Sequence, residues 1–528
     1  MSKMDFRQTG EIRESVDSDD ELTGTGRLRR NVLSGWAAHI VVVLTGLIVP
    51  RFISDAAGAA TLGIWDLGWS TVKYLSLVNF GVAAAMGRYL AFYRASGKST
   101  KLSAVFSSIL IWQAVVTLLV IIISGGIVAL MPNYLPASLL DQLDTIRWVF
   151  GLLAASIAVQ MLFGPARGIL TGMHRWDANN LINAICDASS AIGMIVVLLL
   201  GGGLIELACV HLGATLLAEI ARAVMARRLL PEISFAVILA KWKHAREMVL
   251  FGMKSSLTVA PSLLIIQSTN IFLAGASGAV ALAIFARPVA LMTQIIALVN
   301  KFAIVLMPMA SGMAGLGNTS ELGELMIRSS RTAMLLCGPM FAVLAVDGDL
   351  ILKYWMGAEY ASTNAHTILA AGALLPCSMS VALTILAGIN SHGRASLYAL
   401  SIAILSYGLI WTIFLGGAPR SPESAAILMS VSLTAGPGFC VMIFACNKLN
   451  VPFKQFFRQA LLWPLVSVIS IATILWLPRV LLPNSEFLGT TIGLLLAFAF
   501  VIATSWASFV VLFTDRARIN NQTEIPRE

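Results

Sequence analysis

The sequence predicts an all-α polytopic membrane protein with about fourteen transmembrane helices. Three observations predict it. Of 528 residues, 58% are hydrophobic and only 12% are charged, against about 25% charged in a soluble domain. Apolar stretches near the ~20 residues that a helix needs to cross a bilayer recur along the chain. Basic residues fall in every second gap between those stretches. With mean hydropathy at +0.83, a soluble core cannot absorb this much apolar surface, so the solvent is lipid.

Taken in order, residues 1–30 form a polar cytoplasmic tail with the acidic run Asp17, Asp19, Asp20 and Glu21, a composition that stays disordered. Apolar spans follow at 32–53, 61–86, 102–131, 146–166, 179–201 and 204–226. A cytoplasmic linker at 229–248 contains Pro231 and the run Phe235–Ala240 ahead of Lys241, Trp242 and Lys243. It reads either as a helix in the membrane interface, with Trp242 at headgroup depth, or as a plain connection. Further spans lie at 249–274, 279–310, 329–346, 364–389, 396–416, 424–446, 459–477 and 486–513, before a short tail at 514–528. Asp347, Asp349 and Lys353 interrupt the ninth, which makes twelve spans the competing count.

The gaps set the orientation. Arg27, Arg29 and Arg30 precede the first span, and Arg88, Arg94, Lys98 and Lys101 follow the second. The gaps after spans four, six, eight, ten and twelve continue the pattern, and Arg516 and Arg518 follow the last span. Odd gaps hold single residues such as Arg51, Arg147, Arg420 and Arg479. The positive-inside rule then puts both termini in the cytoplasm. The outside gaps, the longest at 131–145 and 347–361, are too short for a folded domain.

Several functions are excluded. The net charge of +9 is what basic inner loops produce, and no basic stripe with interleaved aromatics suggests nucleic acid. Cys186, Cys209, Cys337, Cys377, Cys440 and Cys446 all sit in apolar stretches without a C-x-x-C, and read as small buried hydrophobes. Gly97-Lys98-Ser99-Thr100 ends like a phosphate-binding loop but lacks the earlier glycine, since Phe92 stands there. No metal-ligand cluster, catalytic motif or cofactor motif is present.

An internal echo is visible. Gly63-Ile64-Trp65-Asp66 and Ser76-Leu77-Val78-Asn79 in span two match Ala283-Ile284-Phe285-Ala286 and Ala297-Leu298-Val299-Asn300 in span eight. The offset is about 220 residues. It covers an even number of spans, so both copies share one topology, as in transporters built from repeats.

Five further pieces carry a resemblance. They are Leu62-Gly63-Ile64-Trp65 with Leu75-Ser76-Leu77-Val78-Asn79-Phe80-Gly81, then Arg88-Tyr89-Leu90-Ala91, Gly172-Met173-His174-Arg175-Trp176-Asp177, Trp355-Met356-Gly357-Ala358-Glu359-Tyr360, and Gly388-Ile389-Asn390-Ser391-His392-Gly393-Arg394. Together they resemble the polysaccharide transporters, or O-antigen flippases, of the multidrug/oligosaccharidyl-lipid/polysaccharide exporter superfamily, over residues 30–515. The resemblance implies two pseudo-symmetric six-helix bundles, at 31–228 and 249–448, around a central cavity, with two additional helices at 449–513. It implies alternating access in a bacterial inner membrane, moving a polyprenyl-diphosphate-linked oligosaccharide between leaflets. The implied partners are that anionic lipid-linked substrate, the bilayer, H+ or Na+ as coupling ion, and polysaccharide polymerase machinery. The lipid II flippase belongs to the same superfamily and lines its cavity with charges in spans two and eight. Arg287, Asp66 and Lys73 occupy comparable places, whereas the basic residues of its first span have His39 as their nearest counterpart here.

These charges are the candidate site residues. A charge at the bilayer centre costs about 2.5–3.5 kcal/mol on insertion scales, so Lys73 needs polar surroundings. Asp66 lies two helical turns earlier on the same face, with Ser70 between them. Lys73 is expected to attract a diphosphate and Asp66 to take part in cation or proton coupling. Arg287, Gln294 and Lys301 follow one another at seven-residue steps, again on one face. Arg287 suits a diphosphate through its planar fork, and Pro288 is expected to kink the helix. Lys301 lies near the cytoplasmic end, where snorkelling also accounts for it. Asp187 and His39 are the further coupling candidates. Glu219 and Arg222, one turn apart, are expected to pair. A drug/cation antiporter would favour acidic cavity residues, and a polyprenyl-using membrane enzyme would need a larger outer loop.

Overall fold

The computed structural model describes residues 25–79, 86–87, 89–90, 99–134, 137–231, 237–304, 306–415, 417 and 420–481. The acidic tail, Phe80, Gly81, Arg88, the last apolar stretch and the C-terminal tail lie outside the described residues. Hydrocarbon offers a backbone N–H or C=O no partner, so a spanning segment must close its own hydrogen bonds. Accordingly, every regular element among the described residues is helical. In the first half these are α1 (Thr25–Leu75), α2 (Ser99–Tyr134), α3 (Leu143–Leu162), α4 (Gly164–Gly172), α5 (Trp176–Leu199) and α6 (Leu204–Leu229). In the second half they are α7 (Trp242–Ala303), α8 (Leu306–Gly315), α9 (Thr319–Met356), α10 (Ala365–Gly388), α11 (His392–Leu415), α12 (Pro422–Leu433), α13 (Val441–Lys448) and α14 (Trp463–Leu481).

Eleven described helices are long and apolar enough to cross a membrane. Two of them are double. α1 and α7 each break at a glycine, Gly58 (φ 84°, ψ 165°) and Gly278 (φ 85°, ψ 176°). That backbone region is essentially closed to residues with a side chain. Each break makes two rods of one helix, so the eleven described helices supply thirteen rods. The two glycines stand 220 residues apart, the offset of the sequence echo. Backbone angles remain helical through Pro288 and leave the helical region at Gly278.

Two helix ends close in the same way. After α4 and α10, His174 and Asn390 take left-handed φ values of 55° and 56°. The following N–H groups, of Arg175 and Ser391, return to the carbonyls of Leu170 and Leu386 at 2.9 and 2.8 Å. This closure satisfies carbonyls that a helix end leaves open. Two of the motif pieces that carry the family resemblance are therefore helix stops.

Asp347, Asp349 and Lys353 do not end a helix, contrary to the reading of span nine as interrupted. α9 runs through all three to Met356. Asp347 is 2% exposed and is paired with Arg479 of α14 at 2.9 Å. Arg479 also reaches Asp349 at 3.1 Å and donates to the Val346 carbonyl at 2.8 Å. The outer gap expected at 347–361 shrinks to the residues after Met356. In the linker, residues 232–236 lie outside the described residues, and Val237–Leu239 make a single 3-10 turn. Trp242 then opens α7, and its ring lies tilted against that of Trp112 of α2 with centroids 5.5 Å apart. Cys209 is exposed and Cys186 half-buried, so only the other four cysteines are the buried hydrophobes expected.

Packing divides the chain into two units. The first gathers residues through Thr61 with Thr71–Ser256, and the second gathers Leu62–Ser70 with Leu257 onward. This differs from a division at 229–248 in one respect that matters: a short piece of the second span belongs with the second unit. In the first unit α3 packs between α2 and α6, and α5 packs on α6. In the second, α10 lies against α8, α9 and α12, and α14 covers α9. Its core includes Phe285, Met292, Met326, Phe341, Leu369 and Met442.

Candidate functional site

The segment Leu62–Ser70 brings its polar residues into the second unit through a close approach. A Cβ on Gly63 would run into the backbone of Ala279, so only glycine lets this rod of α1 meet the second rod of α7. One turn on, Asp66 accepts a hydrogen bond from Arg287 and the two form an ion pair. Arg287 is 2% exposed, and the Asp66 side chain 16%. A further turn along, Asn270 Nδ2 on the first rod of α7 donates to Ser70 Oγ at 3.0 Å. Gln267 lies one turn from Asn270 and is as deeply buried. Trp65 and Trp69 stand edge to face at 6.2 Å on the same rod.

Three buried polar atoms in this cluster have no partner in the protein: Gln267 Oε1, Asn270 Oδ1 and Arg287 Nε. Buried polar groups are usually satisfied, and leaving one unmet costs about 1–3 kcal/mol. The cluster is thus a charge-neutral polar patch at membrane depth, with donor and acceptor capacity in reserve.

The structure brings together Asp66, Ser70 and Arg287 from the residues expected to form the site. Lys73 lies in the last turn of α1, exposed, in the segment that groups with the first unit. Gln294 is half-buried on α7, and Lys301 is exposed in its last turn. His39 is half-buried on the first rod of α1. Gln267 and Asn270 were missed. Their signal was the run Gln267-Ser268-Thr269-Asn270, four polar residues in the middle of an apolar span, where polar groups are costly.

A second cluster lies in the first unit. Glu219 is fully buried and accepts from Arg222 and, at 2.7 Å, from Arg167. Arg222 also donates to Asn183 on α5. Asp187, one turn beyond Asn183 and half-buried, is within electrostatic reach of Arg222. The expected Glu219–Arg222 pair is therefore present, as part of a larger network.

No model of a known family matches this sequence, and no curated protein matches it. Solved structures do match. The lipid II flippase MurJ, in an inward closed conformation, superposes with a TM-score of 0.70 at 14% identity, over 92% of this chain and 99% of that one. An inward-facing multidrug resistance MATE family transporter of the MOP superfamily gives 0.64 at 13% identity, over 81% and 99%. The chain shares the fold of these transporters. A MOP superfamily transporter from Pyrococcus furiosus, described by the reversed polarity of its binding pocket, also matches, at 0.63 with 14% identity, over 82% of this chain and 98% of that one. At these identities the MOP likeness concerns the fold, and the charges must be read on their own terms.

Proposed function

We propose that this chain is a flippase that moves a polyprenyl-diphosphate-linked oligosaccharide from the cytoplasmic to the outer leaflet by alternating access. The observation that carries the reading is the Asp66–Arg287 pair, which joins the second span to the eighth through a guanidinium that is almost fully buried. Intramembrane charges are expensive and are retained where they line a substrate or ion path. The longer overlap with the lipid II flippase, 92% of this chain against 81% with the drug transporter, supports a lipid-carrying helix arrangement.

The pair suggests how binding and movement are linked. At rest Asp66 neutralises Arg287. A diphosphate offers the guanidinium fork two oxygens at once and competes for it. Once Arg287 changes partner, the charge it offset on Asp66 is met by a proton or Na+. Lys73 and Lys301 supply further positive charge along the diphosphate's route. Asp187 is the second coupling carboxylate, and it too stands beside an arginine. The excess of basic over acidic candidates favours an anionic substrate over the cationic drugs of an antiporter.

The test is export in cells and flipping in proteoliposomes. Arg287→Ala and Lys73→Ala are expected to abolish surface polysaccharide while the protein remains in the membrane. Unchanged polysaccharide in both variants removes these residues from the mechanism, and a gain of drug resistance on overexpression favours the antiporter.

A further inference from the structure

A cavity of about 470 Å³ opens between the end of α2 and the start of α3. Its volume is in the range of small-molecule clefts. Gly125, Val128, Gly151 and Ala155 form its floor. Glycine weakens a helix interior and is usually kept there for close packing. Here packing does not explain it, because a Cβ at Gly125 or at Gly151 would meet nothing within 4 Å. Among the described residues, nothing fills the room that the two glycines leave.

The rim is polar and carries both signs. Arg147 is half-buried, with its Nη1 3.5 Å from Asp144 Oδ1 and its Nε 3.4 Å from the Val128 carbonyl. Both distances are long for hydrogen bonds, so neither holds the guanidinium firmly. Asp144 is 91% exposed. Trp148 completes the rim and is largely exposed, a residue suited to headgroup depth. The charge pattern of the gaps assigns this end of both helices to the outside.

We infer that the groove binds phosphatidylethanolamine, one acyl chain on the glycine floor, the phosphate on Arg147 and the ammonium on Asp144. The rim selects for the zwitterion with N–H donors. Arg147 answers a phosphate in its fork. Asp144 accepts from an ammonium, repels a purely anionic headgroup, and finds no N–H on a choline.

The full chain, purified in mild detergent and titrated with phosphatidylethanolamine, phosphatidylglycerol or phosphatidylcholine of matched acyl chains, tests this by native mass spectrometry. Wild type should retain phosphatidylethanolamine about tenfold better than the other two, the factor expected from one charge-assisted hydrogen bond. Asp144→Asn should shift the preference to phosphatidylglycerol, a gain that misfolding cannot produce. Gly151→Leu fills the floor and should bring phosphatidylethanolamine down to the level of the others. Equal retention of the three lipids by wild type overturns the assignment. So does an unchanged preference in either Asp144→Asn or Gly151→Leu.

Discussion

Deleting Asp66 should damage this protein more than deleting Arg287, although the two share one ion pair. Two unit charges about 4 Å apart attract by about 4 kcal/mol at an effective dielectric near 20. Breaking a buried pair by removing one partner costs about 3–5 kcal/mol, because the other charge is left without compensation. Asp66→Ala leaves a guanidinium that is 2% exposed and cannot lose its proton, so its cost should lie near the upper end, about 5 kcal/mol. Arg287→Ala leaves a carboxylate 16% exposed, which can take up water or a proton, and its cost should lie near about 3 kcal/mol. Asp66→Ala with Arg287→Ala removes both charges and should cost clearly less than the two single losses added together, while transport stays lost. Thermal inactivation of the four purified proteins at one temperature gives the ranking, and the double-mutant cycle gives the coupling. Additive losses in the double variant, or greater damage from Arg287→Ala, would refute the pair as described.

Three other outcomes follow from the packing. Glu219→Ala strands Arg222 and Arg167 together and should cost about 3–5 kcal/mol, whereas Arg167→Ala, whose side chain is 31% exposed, should cost about 1 kcal/mol; apparent melting temperatures in detergent rank the two. Gly58→Ala and Gly63→Ala should both lower yield, for different reasons: the first strains a backbone that needs φ near 84°, by about 1–3 kcal/mol, while the second drives a methyl into Ala279 and should also separate Asp66 from Arg287, so only Gly63→Ala should abolish transport in the protein that survives. Arg479→Gln unlatches α14 from Asp347 and Asp349, and hydrogen exchange over Trp463–Leu481 should rise against an unchanged α10.

The lipid-facing character of the chain and its helical class were legible in the sequence because each is imposed locally. Hydrocarbon thickness sets the length of an apolar run, and the cost of moving a charge through it sets where lysine and arginine collect. The repeat was legible too, since a repeated helix keeps its residues at a fixed offset. Span nine was misjudged because a count of charges cannot see that Arg479, more than a hundred residues away, neutralises Asp347. The same limit hid the working partners. Lys73 and Asp66 share a helical face in sequence, yet Asp66 is matched to Arg287 on another helix and Lys73 groups with the other unit. Gln267 and Asn270 become meaningful only beside Ser70 and Arg287. What the sequence alone determined is the solvent each segment meets, because that depends on the segment. What only the tertiary structure decided is which buried polar groups meet one another, because that depends on how closely two distant helices approach, here as closely as Gly63 allows.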